Sequence, residues 1–284
     1  MTLPFDHFPT PSARVRVPSR PNAPAGASSP RELWRYRGLV RALLARSLKV
    51  KYQRSVLGFL WTLVNPLLMI GVLALVFHYV VRLPIADYWA FLLSGYFVWN
   101  FVQQMLSTGT YVILEHAPLR RSVAFPSEVL IVSATLARLA EFAIELSLVL
   151  IALVLFHHHG VPPSLLLVPV LVLLQVLLAL GLMMPIATLS LFYTDIQHAL
   201  PAALLTLFYV SPVFYPAELV PESVRALYFL NPLAGLLTLF QQVLYRGDWP
   251  SGALLAGTAA AAVLLASAGY LVFHRYKGLF AEIL

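Results

Sequence analysis

The sequence predicts an all-α integral membrane protein. Six transmembrane helices are expected, with a cytoplasmic amphipathic helix before the first span and re-entrant or interfacial helices between spans five and six. Three observations carry that prediction. Hydrophobic residues make up 60% of the 284, against about 45–50% in soluble domains. Charged residues make up 11%, against about 25%. The apolar residues also gather in stretches of about 20, the number a helix needs to cross a hydrocarbon core of about 30 Å. This composition excludes a disordered chain, a coiled coil and an ordinary water-soluble enzyme. Cysteine is absent, which removes disulfides, thiolate metal sites and a thiol nucleophile.

Residues 1–30 are rich in Pro, Ser and Ala and lack an apolar run. They read as a flexible cytoplasmic tail rather than a cleavable signal peptide. Residues 31–284 read as one membrane domain. In Arg31 to Arg54, the residues Leu33, Tyr36, Val40, Leu43, Leu44 and Leu48 recur at helical spacing with basic residues between them. Such a helix lies in the interface, apolar face in lipid and basic face at anionic headgroups. Residues 31–58 are therefore expected to be an interface helix and its loop. The helix is a topology anchor, a docking surface or an entry point for an anionic lipid headgroup; in the last case Arg46, Lys49, Lys51 and Arg54 are the candidates to meet the phosphate, since Arg can donate two parallel hydrogen bonds to phosphate oxygens.

The spans follow in order: Trp61 to Val81, Tyr88 to Leu106, about Val129 to Phe156, about Ser164 to Phe192, about Ile196 to Tyr215, and Ala253 to Phe273. Pro201 and Pro212 interrupt the fifth. Eleven Lys or Arg precede the first span. Arg120 and Arg121 follow the second, and Arg275 and Lys277 follow the sixth. The opposite side has only Arg82, Arg225 and Arg246. The positive-inside bias thus puts both termini in the cytoplasm, consistent with an even number of spans.

Two connecting segments are unusual. Residues 115–126, EHAPLRRSVAFP, hold charges, a short apolar set and two Pro residues on the cytoplasmic side. A short helix there would suit contact with a soluble partner. Residues 212–250 are too apolar for a solvated loop, yet Pro breaks them before a clean span forms. Pro221 to Leu230 and Pro232 to Tyr245 each suit a short helix beginning at Pro. They read as re-entrant helices at the outer mouth of a pathway, or as a lid that only packs the bundle.

Arg138, Glu141 and Glu145 share one face of span three. Ionisable residues there face a bundle interior or water. They form either a hydrophilic pathway or a structural ion pair, with Arg138 placed to pair with Glu141. Aromatic residues from Tyr88 to Phe101 and from Phe208 to Phe229 gather near span ends and read mainly as interfacial belts. His157, His158 and His159 lack a nearby carboxylate in sequence and read as a polar loop, so no metal site is expected. The sequence contains no G-x-x-x-x-G-K-[ST] phosphate loop, no H-E-x-x-H and no G-x-S-x-G. No catalytic residues, cofactor or nucleic-acid partner are therefore assigned to this chain. Energy from ATP would have to come from another subunit.

Five motifs, in order, resemble one family: YQRSVLGFLWTLVNPLL from Tyr52, LRRSVAFPSEVL from Leu119, FYTDIQHALPAALL from Phe192, SPVFYPAELVP from Ser211 and FLNPL from Phe229. The chain resembles the permease subunits of ATP-binding-cassette polysaccharide exporters for O-antigen, capsule and teichoic acid, from about Arg31 onward. The resemblance implies a homodimer in the bacterial inner membrane bound to two cytoplasmic ATPase subunits, which carry the ATP and Mg. It also implies a polysaccharide substrate on an undecaprenyl-type diphosphate lipid, moved outward. By family position, residues 115–126 would be the coupling helix, with Glu115, His116, Leu119, Arg120, Arg121, Phe125 and Pro126 at the ATPase. Leu57 and Gly58 would lie near the headgroup entry. The 212–245 region would form the outer gate, with Phe214, Tyr215, Tyr228, Asn231 and Pro232. One departure is visible: Tyr193-Thr194-Asp195 stands where relatives often have Arg before the Asp. The alternatives are an exporter of the same architecture for a small hydrophobic substrate such as a drug, a membrane enzyme acting on lipid-linked sugars, and a passive structural membrane protein.

Overall fold

The computed structural model describes residues 34–52, 60–123, 125–158 and 160–280, and every regular element among them is helical. In chain order these are α1 (Arg37–Tyr52), α2 (Trp61–Ala74, continued by a π-helical turn Leu75–Val80), α3 (Tyr88–Tyr111) and α4 (Ala117–Ser122). There follow α5 (Glu128–Phe156), α6 (Val168–Phe192, entered through a 3₁₀ turn Pro163–Leu167), α7 (Asp195–Val210) and α8 (Glu222–Tyr228). The last two are α9 (Pro232–Gln241, continued by a π-helical turn Gln242–Arg246) and α10 (Gly252–Tyr276, closed by a 3₁₀ turn Lys277–Leu279). The expected tail, residues 1–30, lies outside the described residues.

The bundle has two ends. At the terminal end α4 joins α3 to α5, and Lys277 after α10 pairs with Glu128 at the start of α5. At the distal end the π-helical turn of α2, the first residues of α3, the last of α5 and the last of α9 meet.

Helix α3 is the centre of the bundle. It packs against α2, α5, α6, α7 and α9, and 16 of its 24 residues are buried. That position explains its composition. A helix shielded by protein does not need an all-apolar surface, so it can bury Ser94 and Thr110. It also corrects one expectation. Tyr88, Phe97, Trp99, Phe101, Phe208 and Phe214 are buried among helices instead of forming a belt at the lipid boundary. Buried Gln175 of α6 donates to the Val98 carbonyl at 3.2 Å, locking α6 onto α3.

The tightest helix pair is α6 with α10. A Cβ at Gly181 would lie 2.5 Å from the Leu265 carbonyl carbon, and one at Gly269 would collide with the Gly181 backbone. Two glycines thus let the two backbones touch, as small residues do at membrane helix crossings. Phe192 and Tyr276 hold the terminal ends of the pair together, edge to face at 5.9 Å.

By length and hydropathy, four helical stretches among the described residues can cross a membrane: Trp61–Val80, Glu128–Phe156, Pro163–Phe192 and Gly252–Leu279. The pair Glu222–Tyr228 and Pro232–Arg246, bent by 105°, adds a fifth if counted as one broken span. Helix α3 has 24 residues, about 36 Å at 1.5 Å per residue, but is more polar. Helix α7 departs from expectation: it has 16 residues and stops at Val210, before the expected end at Tyr215. The cause is Pro212. It disfavours helical backbone at Ser211, which is extended with ψ 151. Pro201, by contrast, is accommodated inside α7.

Helix α1 has the expected periodicity. Val40 and Leu43 are buried, Tyr36, Leu44 and Leu48 half-buried, and Arg41, Arg46 and Lys49 exposed. The buried residues, however, join the protein core as α1 packs on α5. Val40, Leu43 and Tyr36 of the stripe therefore face protein where lipid was expected.

Candidate functional site

Three places on the bundle carry the residues singled out by sequence. The first is the terminal end. Helix α4 spans Ala117–Ser122 only, shorter than the 115–126 helix expected. Pro118 stands in its first turn, where a missing N–H costs nothing. Before it, exposed Glu115 lies in a turn whose His116 ring Nδ1 is 2.9 Å from the Val112 carbonyl. Leu119 is half-buried against the core. Arg120 and Arg121 lie on α4. After it, Phe125 is buried and Pro126 half-buried, so the segment is anchored at both edges. Of the entry candidates, Arg46 and Lys49 are exposed on α1 and Lys51 lies in its last turn. Arg54, Leu57 and Gly58 lie outside the described residues.

The second place is inside α5. The Arg138 guanidinium pairs with Glu141 at 2.7 Å and its Nε donates to Thr108 Oγ1 of α3 at 3.3 Å. Glu141 and Glu145 are buried. The structure thus forms the expected Arg138–Glu141 pair. Arg138 also reaches Thr108 of α3, so the network fastens two helices of the bundle.

The third place is the distal end with the chain that follows α7. Ser211, fully buried, accepts from Asn231 Nδ2 at 2.9 Å, while Asn231 Oδ1 caps α9 by accepting from the Leu233 N–H at 3.1 Å. One side chain therefore closes the base of the 211–231 excursion and starts the helix that leaves it. Three donors fix the SPVFYP turn: Tyr88 donates to the Phe214 carbonyl at 2.6 Å, Gln241 to the Pro212 carbonyl at 2.5 Å, and Tyr215 to the Tyr209 carbonyl at 3.1 Å. The Phe214 ring packs on Phe77 and Phe208 at 4.9 and 5.5 Å. Tyr228 donates to Tyr215 at 3.4 Å, joining α8 to the same cluster, and Arg246 pairs with Glu218. Every gate residue expected from the sequence falls in this assembly. Pro232 opens α9, and Leu233 to Gln241 are all buried. Fifteen residues from Pro232 to Arg246 reach about 22 Å, too short to cross a hydrocarbon core alone.

The histidines at the end of α5 hold more than a loop. His157 Nδ1 lies 2.8 Å from the Asp87 carboxylate and its Nε2 lies 2.9 Å from the Tyr245 carbonyl. Its ring stacks on Tyr245 at 5.1 Å. His158 Nε2 lies 2.7 Å from the Leu244 carbonyl, and Tyr245 donates to the Ala86 carbonyl at 2.6 Å. The knot joins α3, α5 and α9. Asp87 and Gly247, at φ 44 and 71, supply the left-handed turns it needs. A cleft of about 410 Å³ opens beside it, lined by His78, Tyr79, Asp87 and Trp89 among others. His157→Ala removes both ring contacts, and a hydrogen bond to a charged partner contributes about 1.5–3 kcal/mol. Because Asp87 is half exposed, a loss at the low end is expected, read as a lower melting temperature of the purified protein. An unchanged melting temperature would count against the knot.

Sequence reasoning missed this knot and the Glu128–Lys277 pair. Both join residues far apart in the chain; only the place of Glu128 within the LRRSVAFPSEVL motif is visible in the sequence.

The ABC-2 type transporter family matches residues 38–245, most of the chain and all of the elements from α1 to α9. The chain belongs to that family. Among curated relatives, the O-antigen export system permease protein RfbA of Myxococcus xanthus is 35% identical over 256 residues, covering 89% of this chain and 97% of the relative. The protein of the same name from Klebsiella pneumoniae is 27% identical, covering 87% and 95%. The polysialic acid transport protein KpsM of Escherichia coli is 24% identical, covering 76% and 84%. For this ABC-2 chain the match runs through the α4 segment, the α5 network and the 211–245 assembly alike.

Proposed function

We propose that this chain is the membrane subunit of an ATP-driven polysaccharide exporter of the O-antigen or capsule type. The observation that carries the reading is the near full-length match to a protein named as an O-antigen export permease, at 35% identity over 97% of that relative. A second copy of the chain and two cytoplasmic ATPase subunits complete the transporter, and ATP with Mg binds on the ATPase subunits. The substrate is a polysaccharide on an undecaprenyl-type diphosphate lipid.

Six spans are counted by adding α3 and α7 to the four long apolar stretches, with the rest of the outer leaflet filled by α8 and α9. The terminal end faces the cytoplasm, since Arg120 and Arg121 follow α3 there and Arg275 and Lys277 stand at the last turn of α10. Because the chain has no native cysteine, its orientation can be read by single-cysteine labelling. Gly38 and Gly160 are exposed and have open space for a side chain. Gly160→Cys is expected to react with an impermeant maleimide in intact spheroplasts, and Gly38→Cys only after permeabilisation. The reverse pattern would invert the topology.

In the working cycle α4, with Arg120 and Arg121, sits in a cleft of the ATPase and receives its motion. The exposed basic face of α1, with Arg46 and Lys49, meets the diphosphate headgroup through charge-assisted hydrogen bonds. The cluster of Phe214, Tyr215, Tyr228 and Asn231 closes the outer side until the bundle moves. Depletion of the protein tests the reading: lipid-linked polysaccharide should accumulate on the cytoplasmic side and vanish from the surface. An unchanged surface polysaccharide would move the assignment to a small hydrophobic substrate.

A further inference from the structure

We infer that Glu128 and Lys277 form a buried charge clasp that passes movement of the α4 segment to the α6–α10 pair. Both act as positioning residues for transport. The inference rests on the exporter reading above.

Glu128 is the first residue of α5, six residues after α4 ends. Lys277 follows the last residue of α10, 149 positions away. Their side chains meet at 2.6 Å with 6% and 11% exposure. Buried charges of this kind are expensive unless paired. Each also suits its helix: the carboxylate lies at the positive end of α5 and the ammonium at the negative end of α10.

The surroundings are stiff. Phe273 and Phe280, both fully buried, meet edge to face at 5.4 Å on either side of Lys277. Phe125 and Ser127 are buried just before Glu128. Beyond Lys277, α10 is bound to α6 through the Gly181–Gly269 crossing, so these helices move together. Motion of α4 therefore has two routes: along α5 itself, and across the clasp to α6 and α10. The second Glu128 oxygen has no hydrogen-bond partner among the described residues. The carboxylate is thus held at this depth chiefly by Lys277.

The test compares Lys277→Met, Glu128→Gln and the swapped pair Glu128→Lys with Lys277→Glu, each in the full transporter with its ATPase. Accumulation, ATPase co-purification, ATP hydrolysis and surface polysaccharide are measured together. The neutral variants are expected to assemble and hydrolyse ATP while polysaccharide exported per ATP falls about tenfold, within the range of typical coupling energies. The swapped pair is expected to recover most of that loss. Wild-type export per ATP in the neutral variants would overturn the inference. So would export that falls only in proportion to accumulated protein, or failure of the neutral and swapped variants alike to accumulate, since both mark a structural prop. Absence of ATP-dependent export by the wild-type transporter is a different result and would sink the exporter reading itself.

Discussion

Gly269→Leu is expected to abolish accumulation of folded protein in the membrane. The substitution drives a side chain into the Gly181 backbone, and neither helix has a flexible group there that can move aside. Overpacking a well-packed site costs about 1–3 kcal/mol, and a clash against backbone belongs at or above the top of that range. The α6–α10 contact would have to open along its length, and with it the attachment of α6 to α3 through Gln175. Gly269→Ala should be milder but of the same sign. Quantitative membrane blots and thermal melts of purified protein check this. Wild-type stability of the Leu variant would mean that the two helices do not touch here.

Reversal of Arg120 and Arg121 to Glu is expected to have the second large effect, on function with the fold intact. Helix α4 has only six residues and is held by Leu119, Phe125 and Pro126 on either side of the two arginines. The doubly reversed variant should insert and melt like wild type, lose co-purification with the ATPase, and export no polysaccharide. Normal co-purification would remove α4 from the coupling role.

The sequence made the bundle legible wherever lipid or a proline dictates the outcome. Trp61–Val80, Glu128–Phe156 and Pro163–Phe192 end within a residue or two of their apolar stretches, because a chain facing lipid has few other options. Pro221 and Pro232 marked the starts of α8 and α9 for the same local reason. Reading failed where neighbours decide. The aromatics of α3 have the composition of an interfacial belt, but a central helix buries them. The stripe of α1 is amphipathic whether its apolar face meets lipid or α5. Nothing local in His157, Asp87, Glu128 or Lys277 reveals a partner dozens of residues away. The gate candidates were found because their motif is contiguous, whereas the hydrogen bonds from Tyr88 and Gln241 that hold it come from other helices.

The most direct measurement of the central claim is transport in a defined system. The chain and its ATPase would be reconstituted in proteoliposomes with a lipid-linked polysaccharide in the membrane, and the glycan facing the side away from the ATPase assayed with an impermeant lectin or glycosidase. The expected result is glycan that becomes accessible with ATP and Mg, and stays inaccessible with a non-hydrolysable analogue or with the doubly reversed Arg120 and Arg121 variant. ATP hydrolysis by a correctly assembled complex with no movement of glycan would contradict the account.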